Sequence, residues 1–446
     1  MGKNKLKEQS NSAQDSGLSK QSRSTQQGNL TEQASVSWKR KTTLFLISQG
    51  VTLFGSTLVQ FAIVWYVTLK TASGAWVAAL TVCSFLPQTL ISFVSGAWAD
   101  RYSKKRLIIL SDAMIAVATL ALALLFPRIG NDKTVFIALL ATSIIRSVGA
   151  GVQMPAVNAA LPLLVPEEHL MRVNGINATL QSIIQFATPA AAGAILSLGS
   201  FVSALLIDIA TAVVGIGLLC CIALPRQTIA QGEPPSVFAD VREGLRYIRT
   251  ERFFAKLMLL YGLFILLSVP GGFLSALLVT RVYGGSYWNL TIVELIGFAG
   301  MAGGGILLGV WGGFSNRVTT LLLGVGVCGL FTVGMGAISN FIVYLVFMLL
   351  LGVAITMAQT AATTLVQERA NPAMQGRMFG LMSSMYSGFL LIGMSAFGPL
   401  ADRVSLQLLM MLTGGMMVLL ALVFRLDRVF CQKPVKATNA KAEQAT

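Results

Sequence analysis

Four ionisable side chains stand inside otherwise apolar stretches of the sequence: Asp112, Arg146, Asp208 and Glu294. Such a group at a bilayer centre costs roughly 2.5–3.5 kcal/mol on insertion scales, so each needs a partner, a wet cavity or a task. At 1.5 Å per residue from its helix end, Arg146 lies about 18 Å deep, near the midplane, and Asp208 about 10 Å deep. Glu294 and Asp112 each lie about one turn inside opposite surfaces. A carboxyl beside an arginine in hydrocarbon can gain and lose a proton, and that is the chemistry this set suggests. Asp208 is the first candidate proton carrier, Glu294 the second, and Arg146 the cation beside it. A static buried ion pair is the alternative. Asp112 is expected to brace a charged turn at the start of its helix.

That turn is Gly96-Ala-Trp-Ala-Asp100-Arg101-Tyr-Ser-Lys104-Lys105-Arg106, with one carboxylate and four cations in the seven residues from Asp100. Trp76 to Trp98 before it carries no charge, and Leu107 to Phe126 after it carries only Asp112. So charged a connection between membrane-length helices must lie in water. The cations Lys104 to Arg106 are expected at anionic lipid. A third set is neutral. Gln60, Gln88, Gln153, Gln181, Gln185 and Gln359, with Phe61, Trp65, Tyr261 and Tyr386, are available to line a large cavity with few fixed charges. Each taken singly is more often a helix–helix contact than a ligand contact. Eighteen methionines would add a pliable lining.

The elements that position these residues follow from composition. Of 446 residues, 54% are hydrophobic and 11% charged, against about 25% charged in soluble domains. The expected fold is an all-α membrane protein of twelve transmembrane helices in two six-helix halves. They are placed at about 42–68, 76–98, 107–127, 134–157, 174–198, 201–224, 254–280, 290–313, 319–339, 341–366, 377–400 and 406–425. With the N-terminus inside, 27 of the 33 Lys and Arg fall on the inner side. That asymmetry places both termini in the cytoplasm. The net charge of +15 therefore reports topology and anionic lipid, not nucleic acid.

Residues 1–37 read as a disordered cytoplasmic tail, 38–224 as the first half, 225–253 as a linker, 254–425 as the second half and 426–446 as a second tail. In the linker, Val237, Val241, Leu245 and Ile248 mark a basic amphipathic helix on the membrane surface. The halves echo one another. Leu164-Val165-Pro-Glu167 with Arg172-Val-Asn-Gly175 returns as Leu365-Val366-Gln-Glu368 with Arg377-Met-Phe-Gly380. Gly398-Pro-Leu-Ala-Asp402-Arg403 resembles the charged turn, but helix parity puts it outside and no cation cluster follows. It is read as a short polar turn and not a second gate. Gly305, Gly309 and Gly313 share one helix face and suggest either tight packing or a sliding seam. The five cysteines show no metal spacing or outside pair, and the single histidine, His169, is read as a solvated loop residue. No metal or cofactor is expected.

Gly96-x-x-x-Asp100-Arg101-x-x-Lys104-Lys105 resembles the signature of the major facilitator superfamily between helices two and three, with Ser103 where glycine is usual. Ile145-Arg146-Ser-Val-Gly149-Ala-Gly151 resembles a second motif, whose arginine serves proton-coupled transport in that family. Pro189-Ala-Ala-Ala-Gly193 partly matches the antiporter motif, with Thr188 in place of a glycine. Arg146-Ser-Val-Gly, Pro155-Ala-Val-Asn158-Ala and Pro162-Leu-Leu-Val-Pro166-Glu167-Glu168 are similar to the macrolide-efflux branch of drug exporters. The resemblance covers roughly 38–430. It implies a secondary transporter in the cell membrane, exporting a bulky amphipathic small molecule against protons as a monomer. Asp100 and Arg101 would latch the cytoplasmic ends of the halves when the cavity faces outward. An importer, or a lipid or siderophore transporter, would use the same scaffold. An enzyme is disfavoured by isolated carboxylates and a lone histidine, and a sensor lacks an added soluble domain. No Walker A sequence is present to bind ATP.

Overall fold

The computed structural model describes residues 38–224 and 251–431. The expected tails and nearly all of the linker, with its amphipathic helix, lie outside the described residues. Helices α1 (38–71), α2 (Gly74–Arg101), α3 (Lys104–Leu125), α4 (Asp132–Ala160), α5 (Glu167–Leu198) and α6 (Phe201–Cys220) make a first group. A second group contains α7 (Arg252–Ser268), α8 (Ser275–Val282), α9 (Tyr287–Trp311), α10 (Arg317–Ala337), α11 (Phe341–Arg369), α12 (Pro372–Ala401) and α13 (Leu406–Leu426). Among the described residues, eleven helices are long and apolar enough to cross a membrane.

The difference from twelve lies in the span expected over 254–280. It is broken between α7 and α8, where Val269-Pro270-Gly271-Gly272-Phe273-Leu274 forms successive turns. Pro270 has no N–H to continue the ladder, and two glycines follow it. Elsewhere the helices begin where the side chains can cap them. Asn131, Ser200, Ser286, Asn316, Asn340 and Ser405 each accept a hydrogen bond from a backbone N–H in the first turn of their helix. α5 starts at Glu167, seven residues earlier than expected. Pro166 precedes it, and Glu167 and Glu168 favour its positive end, so charge marks the helix start and not its absence.

Packing in the two groups follows one plan. α4 packs on α2 and α3, and α3 on α6; in the second group α11 packs on α9 and α10, and α10 on α13. Between groups, α2 packs on α12 and α5 on α9. One continuous apolar core runs through both groups. A separate cluster around Phe45, Ile108, Ala156, Leu164, Val173 and Leu219 fills the charged-turn end of the first group alone. The groups are thus joined through α2 with α12 and α5 with α9.

Glycines mark these joins. A Cβ on Gly193 of α5 would lie 1.8 Å from Thr291 Oγ1 of α9, and one on Gly74 of α2 would lie 2.3 Å from the Gly398 carbonyl of α12. Both positions are near the end opposite the charged turn. Toward the charged-turn end, Gly96, Gly175, Gly305, Gly309 and Gly380 would meet nothing within 4 Å. This corrects the tight packing suggested for Gly305, Gly309 and Gly313. Gly313 lies beyond α9, and it is Gly297, Gly300 and Gly304 that approach α11. Gly305 and Gly309 are exposed on α9.

Candidate functional site

Arg146 is 7% exposed on α4 and ties three other helices together. Its Nη1 pairs with Asp208 Oδ2 of α6 and donates to Thr119 Oγ1 of α3 at 2.5 Å. Its Nη2 donates to the Ser56 carbonyl of α1 at 3.0 Å. Thr119 Oγ1 also lies 2.9 Å from Asp208 Oδ2. The chain admits this cluster through small residues. A Cβ on Gly55 would lie 3.1 Å from Asp208, and one on Gly149 would lie 2.6 Å from Ile115 of α3. Ser147, next to Arg146, donates to the Ser84 carbonyl at 2.6 Å and accepts from the Gln88 N–H at 2.8 Å. Its hydroxyl thereby bridges one turn of α2, beside Pro87. The two residues singled out by depth alone do form a pair. Glu294 lies on α9 in the second group and takes no part in it.

Beside the pair is a cavity of about 400 Å³, walled by α1, α2, α4 and α5 with Ile115 of α3. Gln60, Gln88, Gln153, Gln181 and Gln185, expected on its wall, line it together. Phe61, Trp65, Tyr261, Gln359 and Tyr386 do not. Trp65 is 1% exposed in the core with Phe61 packed against it, and the other three belong to the second group. Sequence reasoning missed Gln49, Asn158 and Asn177 on the wall, together with Ser56, Ser84 and Ser143. Their signal was periodicity. Gln49, Leu53, Ser56, Thr57 and Gln60 recur at helical spacing on α1, as do Ser143, Arg146, Ser147, Ala150, Gln153 and Met154 on α4. Among the described residues of the lining, Arg146 is the one that is charged, and Asp208 already neutralises it. Asp112 does not brace the charged turn as expected. Its hydrogen-bond partner is Gln153 Nε2, 2.5 Å from Oδ1.

In the charged turn, Gly96, Asp100 and Arg101 close α2, and Ser103 has φ −61° and ψ 114°. That conformation suits any residue, so serine replaces the family's glycine without strain. The cations are not all free for lipid. Lys104 is 7% exposed, and Lys105 Nζ donates to the Cys220 and Ile222 carbonyls at 2.8 Å, at the negative end of α6. Arg106 is exposed. His169, expected in a loop, lies in the first turn of α5 and stacks on Trp38 at 5.0 Å. In the partial antiporter motif, Pro189 and Gly193 are buried, Gly193 against Thr291 of α9, and the Thr188 hydroxyl donates to the Ile184 carbonyl at 2.6 Å.

The opposite end holds the largest departure from expectation. Ser73 precedes α2 but does not cap it through its side chain. Asp402, from the turn after α12, does so from the other group. Its carboxylate accepts from the N–H groups of Gly74 at 2.7 Å and Ala75 at 3.0 Å, and from Ser73 Oγ at 2.7 Å. Arg281 of α8 donates to Asp402 at 2.6 Å, to the Ala401 carbonyl at 2.6 Å and to the Ala72 carbonyl at 2.7 Å. Partial burial pushes the Asp402 carboxyl up, but the hydrogen bonds from Ala75, Ser73, Gly74 and Arg281 outweigh it and hold it below the usual carboxylate range. The supposedly plain polar turn is a junction between the two groups.

The family model described as Major Facilitator Superfamily matches residues 45–394. The chain is 28% identical over 389 residues to macrolide efflux protein A of Streptococcus pyogenes, covering 86% of this chain and 95% of that protein. It is 27% identical over 323 residues to the protein of the same name from Enterococcus faecalis, covering 72% and 99%. Its fold is similar to a mutant of the nucleoside transporter NupG, with TM-score 0.68 and 14% identity over 87% of this chain and 99% of that one. It is similar as well to an inward-facing bacterial homologue of the iron transporter ferroportin, with TM-score 0.66 and 18% identity over 86% and 98%.

Proposed function

Because the chain belongs to the Major Facilitator Superfamily, we propose that it exports a bulky amphipathic compound, such as a macrolide, in exchange for protons. The cavity carries this reading. Its wall is rich in amides and hydroxyls, alternating with apolar residues, and its one cation is neutralised. Such a surface can hold a large neutral molecule by many weak hydrogen bonds and apolar contacts, with no fixed counter-charge to demand an ion. The macrolide efflux relatives support the substrate class. The buried charges beside the cavity support proton coupling, since an ionised group in that setting responds strongly to gaining or losing a partner.

On this reading the protein is a monomer in the cell membrane, with both termini and the charged turn in the cytoplasm. The positive-inside asymmetry supports that orientation. The charged-turn end then faces the cytoplasm, the Asp402 junction seals the outside, and the cavity takes its substrate from inside the cell. Asp100 and Arg101 would latch the cytoplasmic ends of the two groups when the cavity faces outward. Expression in a drug-sensitive bacterial strain, with a panel of macrolides and a protonophore, tests the proposal. Resistance should rise and intracellular drug should fall, and both effects should vanish with the protonophore. Unchanged accumulation across the panel, or increased uptake, would overturn it.

A further inference from the structure

The cavity wall conceals a carboxyl that the Arg146–Asp208 pair does not use. Asp112 is 1% exposed on α3. One of its oxygens accepts a hydrogen bond from Gln153, which lines the cavity from α4. The other, Oδ2, is buried and has no hydrogen-bond partner among the described residues. Asp208 is furnished differently, with Arg146 and Thr119 both at its Oδ2. A carboxylate offers about four lone-pair sites, and stranding a charged oxygen away from donors costs far more than stranding a neutral one. Two carboxyls in one protein wall thus have opposite surroundings, one suited to charge and one to neutrality.

The neighbouring charges do not alter that contrast. On α6 the facing group is Asp208 itself, a like charge within electrostatic range of Asp112. On α4, Arg146 is committed to Asp208, Thr119 and the Ser56 carbonyl, and Asp132 and Lys133 lie at the far end of the helix. Arg128 follows α3 at that same end. On α3 itself the cations are Lys104, Lys105 and Arg106, the nearest of them six residues away, and Lys105 is spent on carbonyls of α6 and the segment after it. On α2, which touches α3 only lightly, the charged residues are Asp100 and Arg101 in its last turn.

We propose that Asp112 is the site that binds the exchanged proton, with Gln153 coupling its state to the cavity, while Asp208 remains the ionised partner of Arg146. This deepens the proton-exchange reading and rests on it. The proton sits on Oδ2, and Oδ1 accepts from Gln153. When the O–H bond breaks, its electron pair stays on Asp112 and the proton leaves to water. The carboxylate then holds the Gln153 Nε2 firmly, fixing the Gln153 carbonyl as an acceptor for a hydroxyl of the substrate. Reprotonation on Oδ2 removes the charge from the acid, so Oδ1 holds the Gln153 Nε2 only weakly and the carbonyl is no longer fixed as that acceptor. Proton and substrate therefore exclude one another.

Infrared difference spectroscopy on the purified full chain in lipid nanodiscs, titrated without drug, tests the site directly. The carboxylic-acid C=O band that fades as pH rises should be present in the wild type and absent in Asp112→Asn. In Gln153→Leu it should persist at a shifted frequency, which separates loss of the acid from loss of the fold. A band unchanged in folded Asp112→Asn would overturn the assignment. Accumulation of erythromycin in everted vesicles separates the two levels of the proposal. Wild-type accumulation indifferent to a protonophore would defeat proton exchange itself. Accumulation that collapses with the protonophore equally in the wild type and in Asp112→Asn would defeat only the role of Asp112. The expected result is collapse in the wild type, none to collapse in Asp112→Asn, and erythromycin affinity in that variant no longer dependent on pH.

Discussion

Arg146 shows how much one buried side chain can hold. It bonds to α1, α3 and α6 from α4, using Ser56, Thr119 and Asp208. Removing it leaves Asp208 buried with its charge uncompensated, which costs about 3–5 kcal/mol. Arg146→Ala should therefore lower the thermal unfolding temperature of the detergent-purified protein by many degrees. Arg146→Lys should recover only part of that loss, because an ammonium cannot span three acceptors with the planar fork of a guanidinium. An Arg146→Ala protein as stable as the wild type would show that the pair contributes nothing to the fold. Arg146 and Asp208 were legible in the sequence because charge in hydrocarbon is conspicuous and depth can be counted. Asp112 was misplaced because depth does not say which way a side chain points. Its bond to Gln153 depends on the rotation of α3 against α4, which a single helix does not encode.

Helix ends explain the junction at the sealed end. Six helices cap themselves with Ser or Asn, whereas α2 takes its cap from Asp402 in the other group. A capping side chain is worth about 0.5–2 kcal/mol, so Asp402→Ala should shift the balance toward opening by that amount. Spin-label distances between Lys70 and Arg403 positions would show a longer-distance population; an unchanged distribution would mean that the junction does not hold this end. The pH dependence has a definite sign. A carboxyl held below its ordinary value in the closed form stabilises closure fully above that ordinary value, and the stabilisation is lost only as pH falls through the lower one. Opening of this end should therefore not vary with Asp402 between about pH 5 and 8. The sequence placed Asp402 and Arg403 at this end by helix parity, yet the partnership with Arg281 and α2 spans more than 300 residues and leaves no local pattern. The broken span after α7 was similarly hidden, because Val269 and Phe273 keep the hydropathy high while Pro270 and two glycines undo the helix.

At the scale of the molecule, the end opposite the charged turn is closed by contact, and Gly74 and Gly193 report it. Repetition, hydropathy and charge asymmetry made the two groups of helices legible, since each is a property of the chain alone. Which ends of the groups touch was not legible, because alternating conformations would use the same helices and differ only there. Gly193 and Gly305 allow a paired test. At Gly193 a side chain collides with Thr291 of α9, so Gly193→Leu opposes the present conformation. Overpacking of about 1–3 kcal/mol moves the balance between the two ends by roughly one to two powers of ten. At Gly305 the space is empty, so Gly305→Leu should leave folding, this conformation and drug binding as they are. If its face of α9 must meet the first group when the cleft closes, the same leucine blocks that step. Spin-label distances across each end should then show Gly193→Leu favouring the form parted at the sealed end. Gly305→Leu should remain in the form described here, with erythromycin bound but not exported. Export at the wild-type rate by Gly305→Leu would mean that this face never becomes a contact, and that the cleft closes along another seam.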